Sequence, residues 1–189
     1  MILSGQSIRR LCTNEGGKVY VPGRGLCWDD NAIKHRMITP FVERSVHGGK
    51  SFGLSVAGYD IRVAKFLRNG VTIEEPIRMQ NGDFILASSV ERIKMPNDLL
   101  CIVHDKSSWA REGLALQNTV LEPGWEGFIT LELSFHRPAH RIVVSPGDPI
   151  AQLIFHKLDQ PAEKPYDGKY QNQADMPVEA INESINNDD

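Results

Sequence analysis

The chain is short of several things, and each shortage narrows what it can be. Cysteine is scarce: Cys12, Cys27 and Cys101 are an odd number with no close pair. That argues against a disulfide framework and for reduced thiols, as in a cytosol. No apolar run approaches the roughly 20 residues needed to span a bilayer. Met1 to Arg10 is too short and too polar for a signal peptide, so a cytoplasmic protein with no membrane partner is expected. Excess positive charge is also missing. Lys and Arg number 21 against 24 Asp and Glu, a net charge of −3, so no basic field for nucleic acid is implied. There is no Cys-x-x-Cys, no His-x-Glu and no ligand spacing among the six histidines, which include His104, His136, His140 and His156. No protein-bound zinc is expected. No internal repeat is visible.

What is present reads as all-β. At 189 residues one domain with a real core is expected. Phe84 to Ser88, Leu99 to Val103, Gly127 to Phe135, Arg141 to Val144 and Ile150 to His156 read as strands. Turns punctuate them at Gly82, Pro96, Pro123-Gly124, Pro138 and Pro146-Gly147. Short strands with frequent turns predict a barrel or jelly roll. One helix is predicted around Ser4 to Leu11, and the Gly-rich stretch Gly16 to Gly25 reads as a loop. From Asp159 the chain is rich in Pro, Asp, Asn and Gln and can bury little. A single domain over residues 1–175 is expected, with a disordered tail over 176–189.

The stretch Lys106 to Leu133 carries the most chemistry. Along Gly127 to Phe135, side chains alternate between faces. Ile129, Leu131, Leu133 and Phe135 share one face; Phe128, Thr130, Glu132 and Ser134 share the other. Glu132 therefore lies either on a solvated outer face or at a site where a carboxylate does chemistry, since burying one without purpose is unfavourable. Upstream, Ser107-Ser108-Trp109-Ala110-Arg111 follows a strand. Ser107 or Ser108 can cap a short helical turn. Such a turn is either an ordinary capped corner or an anion site to which Arg111 adds a bidentate contact. Gln152 interrupts an apolar run and must find partners in neighbouring backbone or in a ligand.

The ordered set AGYDIRV (57–63), KSSWAR (106–111), LEPGW (121–125), TLEL (130–133), PGDPIAQLIF (146–155) and KPYDGKYQNQ (164–173) resembles the dCTP deaminase branch of the dUTPase superfamily. The opening ILSGQSI resembles it too, and the likeness covers roughly Met37 to Gln173. It implies a distorted jelly-roll or β-barrel assembled as a homotrimer, with sites between subunits. It also implies hydrolytic deamination of dCTP to dUTP and ammonia without zinc, Glu132 shuttling the proton. By the same resemblance Ser107 helps hold the water, and Ser108 and Arg111 grip phosphates, within a substrate-binding block that includes Lys106, Trp109 and Ala110. Glu122 lies near the deoxyribose, Thr130 and Leu131 flank Glu132 in the segment that contacts the base through backbone groups, and Tyr166, Lys169 and Gln173 belong to a closing lid over 158–175. Magnesium is implied as the counter-ion of the triphosphate, and dTTP as an inhibitor. Asp60 and Arg62 either lie near phosphate and magnesium or pair with each other to organise the trimer; Gln152 stays similarly open.

Three departures keep rivals in play. The segment Ala115 to Trp125 is short, Glu122 stands where the family carries Asp, and Trp109 replaces a smaller residue. A bifunctional enzyme making dUMP and diphosphate from dCTP, a dUTPase acting through Glu122, and a non-catalytic nucleotide-binding regulator are the alternatives.

Overall fold

The computed structural model of the protein describes residues 1–13, 18–21, 25–28 and 36–182. The chain opens with helix α1 (Gly5–Thr13) and strands β1 (Lys18–Val21), β2 (Gly25–Trp28), β3 (Ile38–Thr39), β4 (Arg44–His47) and β5 (Lys50–Leu54). Next come β6 (Tyr59–Arg68), β7 (Val71–Ile73), β8 (Ile77–Gln80), β9 (Phe84–Lys94) and β10 (Leu99–Asp105). Helix α2 (Ser107–Glu112) precedes β11 (Leu114–Leu116), β12 (Val120–Leu121), β13 (Glu126–Phe135), β14 (Arg141–Val144) and β15 (Pro149–Lys157). All five predicted strands form. The predicted helix forms, starting one residue later and ending two later than the sequence suggests.

The main sheet runs β11-β13-β9-β6-β15-β10-β12, and its neighbours pair antiparallel. Strand β6 makes it curl. Tyr59 to Arg62 pair with β15, whereas Val63 to Leu67 pair with β9. A register shift between Val63 and Lys65 marks where the strand turns from one partner to the other. An irregularity of this kind bends a strand and sharpens its twist. The result is the barrel-like all-β fold that short strands and frequent turns predict.

The core follows from the alternation. Ile129, Leu131, Leu133 and Phe135 of β13 meet Ile85 and Ala87 of β9, Val63 and Phe66 of β6, and Leu153 and Phe155 of β15, all buried. Each large aliphatic side chain contributes roughly 1.5–3 kcal/mol by leaving water. Helix α1 closes one end by burying Ile8 and Cys12, one turn apart. It begins at Gly5 because a Cβ there would lie 2.4 Å from the Ser55 carbonyl oxygen.

One expectation changes. Within the stretch read as a Gly-rich loop, Lys18–Val21 forms β1, which pairs antiparallel with β2 at and beyond the end of that stretch; the rest of the stretch lies outside the described residues. Residues 176–182 are also described. Pro177 is buried, and the Val178 and Ile181 amides are hydrogen-bonded. The remainder of the expected tail, 183–189, lies outside the described residues.

Cys12 and Cys101 are both free and buried. Burial pushes the Cys12 thiol up to about 12 and moves Cys101 upward as well. The thiolate is the reactive species, so neither should react with a thiol reagent at neutral pH in the native protein. Peptide mapping should find both labelled only after denaturation; labelling of Cys12 in the native state would show that α1 opens.

Candidate active site

Glu132 sits on β13 opposite Leu86, and Thr130 opposite Ser88. Both side chains are half-buried, on the face away from the core. A register shift between Phe128 and Thr130 takes the Ile129 amide out of the ladder, and the buried Ser89 hydroxyl accepts it instead at 2.9 Å. On the other edge the Gln117 amide donates to the Glu132 carbonyl at 3.0 Å, where the chain leaves β11. The backbone beneath Glu132 is therefore held from both sides.

The carboxylate lines a cavity of about 590 Å³. Its walls are largely apolar and aromatic, with Leu86, Trp125, Tyr166 and Tyr170 among them, and its polar groups include Glu122, Thr130, Glu132 and Gln173. Glu132 Oε2 is buried without a hydrogen-bond partner. Burial raises the carboxyl above its ordinary pKa, and a backbone hydrogen bond opposes this only in part. A carboxyl so tuned, facing a cavity, is suited to taking up and returning a proton.

The C-terminal segment covers that cavity. The Tyr166 amide donates to the Pro123 carbonyl at 2.8 Å, and the Trp125 indole donates to the Tyr170 carbonyl at 2.8 Å. Phe128 donates to the Gln173 carbonyl at 3.1 Å. The Thr130 hydroxyl accepts the Gln173 side-chain amide and, at 3.1 Å, the Val178 backbone amide. Lys169 lies with its ammonium 5.3 Å from the centre of the Tyr170 ring. The contact depends on Gly127, whose φ is +152° and whose absent Cβ would meet Gln173 backbone nitrogen at 2.6 Å. Gly127→Ala should therefore lift this segment. Limited proteolysis should then cut between 166 and 182 severalfold faster than in wild type; an unchanged rate would mean that the strand yields instead.

Helix α2 lies elsewhere. None of its residues, and not Lys106, lines the Glu132 cavity. Lys106 is buried and pairs with Asp60 at 2.6 Å. The helix N-cap is Lys106 and carries no side-chain cap, so neither serine caps the turn as the sequence suggests. Trp109 is buried and donates its indole N–H to the Pro149 carbonyl at 2.6 Å, which makes it a packing anchor in this chain. Ser107, Ala110 and Arg111 are exposed, Arg111 reaching back to the Ser107 carbonyl at 3.2 Å. The Ser108 hydroxyl is buried without a partner. Asp60 and Arg62 do not pair with each other. Arg62 instead pairs with the fully buried Glu91 at 2.8 Å, and β15 sets Gln152 between Asp60 and His104 in register.

The structure thus brings Glu122, Thr130, Glu132, Tyr166 and Gln173 to one cavity and leaves Lys106 to Arg111 and Gln152 outside it. Leu131 points to the core, so only its backbone faces the neighbouring strand. Sequence reasoning missed Trp125 and Tyr170. Each sits inside a motif already singled out, Pro-Gly-Trp and Lys-Tyr-Gln-Asn-Gln, and their aromatic character was the available signal. Among the described residues, no three His, Cys, Asp or Glu side chains converge as a metal site, and no helix is long and apolar enough to cross a membrane.

A family model described as dCTP deaminase-like matches residues 68–158. The chain is 34% identical over 173 residues to the dCTP deaminase of Herpetosiphon aurantiacus, covering 79% of this chain and 94% of that protein. It is 37% identical over 173 residues to the dCTP deaminase of Campylobacter lari, covering 79% and 92%. The crystal structure of 2'-deoxycytidine 5'-triphosphate deaminase from Agrobacterium tumefaciens shares the fold, with a TM-score of 0.57 at 16% identity. That match covers 82% of this chain and 47% of that one, so the chain spans about half the length of that relative.

Proposed function

The chain belongs to the dCTP deaminase family, and from that premise we propose that it deaminates dCTP hydrolytically, giving dUTP and ammonia. The observation that carries this is Glu132: a half-buried carboxyl with a raised pKa and an unpartnered oxygen in a largely apolar cavity. In the proposed reaction Glu132 takes a proton from water as the hydroxyl adds to C4 of the cytosine. It then returns that proton to the amine, which leaves as ammonia, while the hydroxyl proton ends on N3 and C4 becomes the carbonyl of uracil. The chemistry needs no zinc ligated by the protein.

Glu122 is proposed to face the deoxyribose, and Thr130 and the Leu131 backbone the base. Tyr166, Lys169 and Gln173 would close over the nucleotide. Ser107, Ser108 and Arg111, with Lys106, are assigned to the water and the phosphates, and magnesium enters with the triphosphate as part of the substrate. Since α2 does not line its own chain's Glu132 cavity, this assignment requires α2 of a second copy, and a homotrimer with shared sites supplies one. The role of dTTP as an inhibitor, and a cytoplasmic location, belong to the same reading.

A second reading rests on Glu122, a second carboxylate in the cavity of Glu132. It would activate water against the α–β phosphate bond once Glu132 has deaminated the base, so that dCTP yields ammonia, dUMP and diphosphate. Purified protein incubated with dCTP and, separately, with dUTP, each with magnesium, distinguishes the two by chromatography. dUTP and ammonia from dCTP, with dUTP left intact, is the expected result. Accumulation of dUMP favours the second reading, and no product from either nucleotide overturns both in favour of a non-catalytic regulator.

A further inference from the structure

A second cavity, of about 550 Å³, lies beyond Phe84, and its walls are charged. Phe84 is the one residue lining both cavities. Three arginines converge on the second: Arg68 at the end of β6, Arg78 on β8 and Arg141 on β14. The two-stranded β8–β14 sheet puts Arg141 opposite Gln80 and Arg78 opposite Val143. Arg78 and Arg141 are therefore diagonal neighbours on one exposed face, a spacing of about 7–8 Å between backbones that long side chains bridge. Arg68 comes in from the side, its Nη2 donating to the Arg78 carbonyl at 3.2 Å.

Among the described residues the only carboxylate lining this cleft is Asp83. It lies 3.7 Å from Arg68 Nη2 and already accepts the Gln80 amide at 2.9 Å. Among the described residues no carboxylate comes within ion-pair distance of Arg78 or Arg141. Like charges held together on a sheet face are unfavourable. An anion with several oxygens would relieve that repulsion and accept bidentate guanidinium contacts. The amides of Asn69 and Gln80, also in the cleft, add donors.

We propose that the Arg68, Arg78 and Arg141 cleft binds a phosphate-bearing anion, at a site separate from the Glu132 cavity. Arginine modification with phenylglyoxal, mapped by peptide mass spectrometry on the whole protein, tests this. Pyrophosphate and a nucleoside triphosphate are the probes, with sodium chloride at matched ionic strength as the reference and the exposed Arg44 as internal control. Either probe should slow labelling of Arg78 and Arg141 severalfold and leave Arg44 unchanged. Equal protection by both assigns the site to phosphate alone; stronger protection by the nucleotide extends it to the nucleoside. Unchanged labelling with both probes, or no labelling of Arg78 and Arg141 without them, overturns the proposal. No catalytic activity enters the readout, so failure here leaves the deaminase reading intact and the converse holds too.

Discussion

Replacing Glu132 with Gln should abolish turnover and at the same time make the folded protein more stable at neutral pH. The loss of activity follows from the chemistry. Gln matches the shape of Glu but can neither accept nor return a proton. General acid–base groups account for on the order of a hundred- to ten-thousandfold in rate, and here one group would serve both half-steps. Nucleotide binding should persist, because the cavity keeps its walls. The stability gain follows from the same burial that tunes the group. Its folded-state pKa is raised, chiefly by burial, so the folded chain holds that proton more tightly than the unfolded chain. Wild-type stability therefore falls as pH rises from the ordinary carboxyl range through the raised pKa, and stays low above it. Gln carries no such penalty. Thermal melts of both proteins across pH should show no difference below the ordinary carboxyl range and a higher Tm for the variant at neutral pH. Retained turnover would end the shuttle assignment. A variant melting no higher at pH 7 would mean that the carboxylate is solvated in the folded state.

The face of Glu132 was legible because strand alternation is a local property. Ile129, Leu131, Leu133 and Phe135 had to share one side, and Glu132 had to lie on the other. Whether that other side was wet could not be read, since it depends on Gln173 and Val178 reaching Thr130 from more than 40 residues away. Strand β6 was missed for a related reason. Its Asp60 and Arg62 read either as neighbours of phosphate and magnesium or as a pair with each other. Instead Lys106 takes Asp60 and Glu91 takes Arg62, each distant in sequence. Sequence pattern could not show that the Pro149 carbonyl accepts the Trp109 indole N–H, because the two residues are 40 positions apart. The serine cap failed because Lys106, tied down by Asp60, occupies the cap position first. Pattern carried the faces and the order of the elements. It did not carry the long-range partners of charged groups, and those decide what surrounds the site.

The Arg62–Glu91 pair makes that dependence measurable. Glu91 is fully buried, and its two carboxylate oxygens are taken by the Arg62 side chain and the Arg62 backbone amide, each at 2.8 Å. Burial pushes the Glu91 carboxyl up, and the contacts to Arg62 pull it part of the way back. Arg62→Met removes the guanidinium and leaves a buried acid with only a backbone donor. Breaking one side of a buried pair costs roughly 3–5 kcal/mol, which in a chain of this size lowers Tm by about 10 °C. The sign with pH is fixed. Without Arg62 the Glu91 proton is held to still higher pH, so the variant loses least below the ordinary carboxyl range, where Glu91 is neutral, and most above it. Adding Glu91→Leu should restore part of the loss, because an apolar pair of similar volume carries no desolvation penalty. Activity should fall along with stability in the single variant. The Glu91 carbonyl accepts the Ser89 hydroxyl at 2.7 Å, and that hydroxyl in turn holds the Ile129 amide at the irregularity from which Thr130 and Glu132 project. A single variant that loses less than about 1 kcal/mol, the range of an exposed ion pair, would show that water reaches Glu91 and that the pair does not hold the strand beneath Glu132.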